Sequence, residues 1–205
     1  MRLSILTTAC ALCFALPTTA QEAAVKTKDA TAAKFQVFGG TSSRPNTGVF
    51  LFSETFAAGI TISHGQPEWN PDYTNLDSFK GQLLRLGKDQ WTTLMTSVAV
   101  DIGGTTVPAG SYVCGLNCDK SGKFGLALID STKAMKAGLM PFTMPQTWTP
   151  DITVPLTLNK DVSKEVVSKL SIELKGNKQE PTKATFTLAW GPHTLTSPVT
   201  FNVTK

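Results

Sequence analysis

His64, Glu68, Trp69, Asp72 and Tyr73 fall in one short stretch, HGQPEWNPDY. An imidazole, two carboxylates and two aromatic rings could bind a sugar, hold a metal ion or share a proton. Pro67 and Pro71 deny the stretch regular structure, because proline removes a backbone donor and fixes φ. Loops carry function more often than the elements they join. The alternative is a long loop that packs its rings over the end of the fold. His193 is the only other histidine. His64 and His193 are weak metal candidates, since a closed zinc site needs about four ligands. No metal or cofactor is expected. Arg85 precedes Gly87, Lys88 and Asp89. It could offer a guanidinium to an anionic ligand, or serve structurally, paired with Asp89, Asp101 or a backbone carbonyl. Trp91, Trp148 and Trp190 could stack a sugar, but the alternating apolar run around Trp190 points to a core position.

Catalytic signatures are absent. The chain has no Gly-x-Ser-x-Gly elbow, no His-Glu-x-x-His, no phosphate-binding glycine loop and no zinc-finger spacing. Paired acids of the glycosidase kind leave no fixed sequence spacing, so a metal-dependent or acid/base hydrolase using His64 with Glu68 or Asp72 of the 64–73 loop stays open as an alternative. Convergence of His64, Glu68, Asp72, Arg85 and His193 in one pocket would favour it.

The amino-terminal residues read as a secretory signal peptide. Arg2 supplies a positive start, residues 3–16 are mostly apolar, and Pro17-Thr18-Thr19-Ala20 offers small residues for cleavage after Ala20. Cys10 and Cys13 sit inside that apolar run, outside any lipoprotein-type context. The expected location is therefore periplasmic or secreted. Net charge is +4 over the whole chain, and loss of Arg2 with the leader lowers it by one. The basic residues are scattered and form no stripe with aromatics, which disfavours nucleic acid. Beyond the leader no apolar run is long enough to span a bilayer as a helix.

Two cysteines remain, Cys114 and Cys118, and export makes a disulfide between them possible. In one extended strand their Cα atoms would stand ~13 Å apart, past the ~7 Å limit for a bridge. A bond would need a turn or bulge at Gly115-Leu116-Asn117.

The rest of the chain supplies the elements that must position these groups. Residues 21–34 read as a flexible leader, and 35–205 as one domain. Strand patterns occur at 35–38, 49–52, 60–63, 80–86, 91–102, 111–117, 123–130, 152–158, 170–174, 184–190 and 195–203. The run 91–102 is apolar on both faces, as in a strand buried on both sides. Asp119-Lys120-Ser121-Gly122 turns a hairpin. Ser131 can cap a short helix to Lys136, ended by Gly138. Many short strands with almost no helix mean an all-β fold, a single antiparallel β-sandwich with a barrel as the alternative.

The stretches Ile60-Thr61-Ile62-Ser63-His64-Gly65-Gln66-Pro67, Leu84-Arg85-Leu86-Gly87, Thr92-Thr93-Leu94, Gly103-Gly104, Val107-Pro108-Ala109-Gly110-Ser111-Tyr112 and Thr185-Phe186-Thr187-Leu188-Ala189-Trp190-Gly191 occur in this order. Over about residues 60–199 the chain resembles the bacterial exported family called domain of unknown function 2911. It departs from that family's common branch, which carries Trp-Arg where Leu84-Arg85 stands and a Pro-Tyr-Gly that is missing here. The resemblance implies an exported β domain and no particular activity. The reading that follows is a non-catalytic binding or interaction module for a small ligand, a glycan or an envelope protein. Its best surface is the 64–73 loop with Arg85. An envelope structural protein is the further alternative.

Overall fold

The computed structural model describes residues 44–139, 148–159 and 165–203, all within the unit Ser42–Lys205. The leader, the stretch 21–34 and the strand expected at 35–38 lie outside the described residues. Twelve antiparallel strands form one sheet: β1 (Asn46–Phe52), β2 (Ala57–Ser63), β3 (Gln82–Arg85), β4 (Thr92–Thr96), β5 (Val100–Ile102), β6 (Thr105–Val107), β7 (Gly110–Cys118), β8 (Phe124–Asp130), β9 (Ile152–Leu158), β10 (Val167–Gly176), β11 (Lys183–Gly191) and β12 (His193–Phe201). One short helix, α1 (Ser131–Lys136), follows β8.

The side-chain period of two builds the interior. Val154 and Leu156 of β9, Leu170, Ile172 and Leu174 of β10, and Ala184, Phe186 and Leu188 of β11 all point into one core. Their neighbours Thr153, Thr157, Glu173 and Thr185 face solvent. β8 is buried on both faces. Its Phe124, Leu126 and Leu128 join the core. On its other side Ile129 packs with Val113, Trp148 and Ala134 of α1.

The all-β expectation holds, and the barrel describes it better than the sandwich. β9 pairs with β8 along most of its length and with β12 at Thr157 and Leu158. That double pairing joins what would be two sheets into one. The strand order β1-β2-β4-β7-β8-β9-β12-β11-β10 then curls so that its two ends meet. Val49 of β1 packs on Gly176 of β10.

The seam is closed by substitutes for a strand. The N–H groups of Leu170, Ile172 and Leu174 donate to the Pro67 carbonyl at 3.0 Å, to His64 Nε2 at 3.3 Å and to the Thr47 hydroxyl at 3.0 Å. A free sheet edge leaves such donors open to other chains. Here a carbonyl, an imidazole and a hydroxyl satisfy them in turn.

Three local expectations need correction. The run 91–102 is two strands, because the chain bends at Ser97-Val98, where the Thr96 hydroxyl donates to the Val98 carbonyl at 2.7 Å. β4 stays with β2 and β7, while β5 crosses to β12 and β6. The cap of α1 is Asp130, not Ser131. Its Oδ1 accepts from the Thr132 and Lys133 N–H groups at 2.8 and 3.0 Å. Cys114 and Cys118 both lie in β7 with no bulge between them, and both are free, buried thiols, so the disulfide candidate falls.

The Pro-Ala-Gly-Ser-Tyr element starts β7. Tyr112 buries its ring in the core, and its hydroxyl donates to the Pro108 carbonyl at 2.9 Å. A tyrosine bonded back to the backbone a few residues upstream locks a β corner in other all-β folds.

Candidate functional site

The barrel interior is unevenly filled. Ile60, Leu94 and Phe186 are fully buried and close one part of it. Around Leu84, Leu116, Phe124, Leu158, Leu170 and Leu188 there remains a cavity of about 530 Å³. That lies within the roughly 300–1,000 Å³ range of small-molecule sites. Its walls come from both halves of the sheet. They use the part of β7 that pairs with β3 rather than β4, because β3 and β4 share one edge of β7 end to end.

The loop between β2 and β3 covers this cavity with Pro67, Trp69, Tyr73, Leu76 and Phe79. Two 3-10 turns shape it, Pro71–Thr74 and Leu76–Phe79. Each begins where an asparagine side chain caps it. Asn70 and Asn75 accept from the Asp72 and Asp77 N–H groups at 3.1 and 3.0 Å. The loop is stitched to β10 through the Trp69 N–H and the Ser168 carbonyl at 2.7 Å, and to β11 through Trp190 Nε1 and the Pro67 carbonyl at 3.1 Å.

Trp69 is the hub of the cover. Its ring meets Trp190, His193 and Tyr73 edge-on at centroid distances of 5.1, 5.8 and 6.3 Å. Such T-shaped contacts suit the charge distribution of aromatic rings. The ring lies directly on the backbone of Gly191, which has φ +59°. A Cβ there would stand 2.3–2.5 Å from three Trp69 ring carbons. Gly191 is therefore a site residue by virtue of lacking a side chain.

The polar groups on the wall are few: Arg85, His193, Gln82 and Ser78. Among the described residues no carboxylate lines it. Arg85 ends β3, and its guanidinium donates through Nη2 to the Asp89 carbonyl. Asp89 presents that carbonyl from a left-handed conformation, φ +63°. Arg85 Nε is buried with no partner among the described residues, and so is His193 Nε2. Buried polar atoms are nearly always satisfied, and an orphan costs about 1–3 kcal/mol.

Trp69, Tyr73, Arg85 and His193 thus share one cavity, whereas His64, Glu68 and Asp72 are not on its wall. His64 is only 1 % exposed and serves the seam. Burial pushes its pKa down, the Leu170 carbonyl draws it partly back, and Arg44 lowers it further. The Glu68 backbone forms an isolated antiparallel β-bridge with Lys169 of β10, and the Asp72 carboxylate accepts from Asn70 Nδ2. Among the described residues no three His, Cys, Asp or Glu side chains gather to hold a metal ion. Trp91 and Trp148 pack edge-on against each other at 5.9 Å, off the cavity wall, so the three tryptophans form no common platform with Trp190.

Sequence reasoning missed the leucine wall, Phe79 and Gly191. The leucines alternate like any core residue, and nothing local distinguishes a leucine facing a void from one facing a neighbour. No protein-family model, no curated protein and no solved structure matches this chain.

Proposed function

We propose that this chain is a non-catalytic binding module that takes a small, largely apolar molecule into the covered end of its barrel. The observation that carries the reading is the leucine-walled cavity under the Trp69 cover. An empty apolar cavity forfeits the contacts its lining atoms would make, and a ligand restores them. The arrangement favours binding over hydrolysis, because His64 is committed to the seam and no carboxylate among the described residues lines the cavity. Export belongs to the proposal. It rests on the amino-terminal leader and on the resemblance to the exported family noted above.

A second reading is contact with another protein. Phe50, Phe52 and Met95 stand exposed on the outer face of β1 and β4, and Phe50 and Phe52 stack at 6.3 Å. Loss of a copurifying or self-associating partner in Phe52→Ser would support that reading, and unchanged association would remove it.

The cavity reading is tested by thermal shift with a panel of small apolar and amphipathic molecules. A ligand at 100 times its dissociation constant adds about 2.7 kcal/mol, which is roughly 5–10 °C for a domain of this size. The shift is expected to vanish in Leu188→Trp, which fills the cavity from β11. A shift that survives that substitution unchanged places the ligand elsewhere and overturns the reading.

A further inference from the structure

Resting on the cavity as a binding site, we infer that its ligand is a monoanionic amphiphile: an apolar body lies among the leucines and an acidic head is held by Arg85. Three features point the same way. The wall is apolar except for Arg85, His193, Gln82 and Ser78, and Arg85 is its only cation among the described residues. Arg85 Nε and His193 Nε2 are both buried with no partner among the described residues. Finally, among the described residues no carboxylate on the cavity wall neutralises Arg85.

Arg85 is half-buried, at the end of the four-residue strand β3. Its Nη2 is already tied to the Asp89 carbonyl, which fixes the plane of the guanidinium. A planar guanidinium with Nε free presents a donor suited to a carboxylate or a comparable oxyanion. The neighbourhood supports an anion rather than a cation. Burial lowers the Arg44 pKa, Asp89 raises it and Arg85 lowers it, so two cationic side chains and one acidic one share this neighbourhood. Arg44 itself is spent on the Lys88 and Trp91 carbonyls, at 3.1 and 2.8 Å, which leaves Arg85 for the ligand. His193 can place its proton on Nε2 and donate a second hydrogen bond.

The volume bounds the body. About 530 Å³ is in the range of small-molecule sites, and an unbranched acid of about a dozen carbons is a probe of that scale.

The experiment compares three probes with one tail, each below its micelle concentration: dodecanoate, dodecanol and dodecyltrimethylammonium. Binding to the full domain is read by calorimetry and by emission from Trp69 and Trp190. Dodecanoate is expected to bind at least about tenfold tighter than dodecanol, the worth of a charge-assisted hydrogen bond, and the cation not at all. Arg85→Gln is expected to erase the preference while leaving dodecanol affinity in place. Equal affinity for dodecanoate and dodecanol in the wild type overturns the anion assignment and leaves the cavity reading standing. No binding of any of the three overturns this inference, and failure of the apolar panel as well removes the cavity reading. The wild-type comparison decides the matter even where Arg85→Gln fails to fold.

Discussion

Replacing Gly191 by alanine tests the construction of the cavity cover directly. Two costs follow from the structure. The first is backbone strain, since φ is +59° at this position and an L-residue in the left-handed region loses about 1–2 kcal/mol. The second is eviction of Trp69, because the new methyl would stand 2.3–2.5 Å from its ring carbons while the backbone of β11 is held by both β10 and β12. The ring must move, and its contacts with Trp190 and Tyr73 are worth about 0.5–1.5 kcal/mol each. Together the loss is about 2–5 kcal/mol. At roughly 2–4 °C per kcal/mol for a domain of this size, Tm falls by at least about 4 °C. Gly104→Ala is the control. Gly104 has φ +81° with nothing within 4 Å of a built Cβ, so it carries the strain alone. The assay is thermal unfolding of both variants beside the wild type, with tryptophan emission recorded in the native state. Gly191→Ala is expected to lose more than Gly104→Ala, with a red-shifted emission as Trp69 enters water. Equal losses and unchanged emission would refute the claim that Gly191 seats the ring.

The seam predicts acid sensitivity. His64 must stay neutral to accept from the Ile172 N–H, and burial holds its folded pKa below the ordinary histidine value of about 6.5. The unfolded state then binds more protons as pH falls, so stability is full above about 6.5 and declines below it. Urea unfolding at pH 7.5, 6 and 5 should show the decline, and His64→Gln should flatten it while lowering stability at pH 7.5 by about 1–3 kcal/mol for the stranded donor. An identical pH profile in that variant would sink the assignment. Cys114 makes the opposite, alkaline prediction. Burial pushes its thiol up to about 12. The folded state keeps a proton that the unfolded state loses above about 9, so stability drops by up to about 1.4 kcal/mol per pH unit from there toward 12. Cys114→Ala should lose that component of the slope. Under native conditions at pH 8 a thiol reagent should leave Cys114 unmodified, and prompt labelling would contradict its burial.

Much of the β framework was legible because it depends on local alternation. Val154 with Leu156 and Ala184 with Phe186 announce their strands without help from the rest of the chain. The hairpin at 119–122 is also local: Asp119 Oδ1 accepts from the Ser121 and Lys123 N–H groups at 2.8 and 2.9 Å, and Gly122 takes φ +86°. Choosing a barrel over a sandwich was harder. It turns on Leu158 meeting Leu195, a contact between distant residues that neither local pattern encodes. The split of 91–102 failed for a related reason: apolar residues on both faces are equally consistent with one buried strand and with two strands that change partners.

The site was legible in part, and the part that was missed has a physical cause. Trp69, Tyr73, Arg85 and His193 were singled out by residue type, and the fold gathers them on one cavity. His64 was singled out by type as well, yet its buried imidazole spends its lone pair on a strand edge. What decides between these fates is the circumference of the barrel. About eight strands enclose an interior that side chains can just fill, and the path here carries nine. The extra width must be taken up by larger side chains, by a bound molecule or by void. Toward Ile60 and Leu94 it is taken up by side chains. Toward Leu116 and Leu158 it is not, and the chain spends the 64–79 loop covering the opening. His64 and Pro67 at the start of that loop already satisfy β10 with Thr47, so its two asparagine-capped turns and three rings serve the mouth rather than the edge, as the proposed binding role requires.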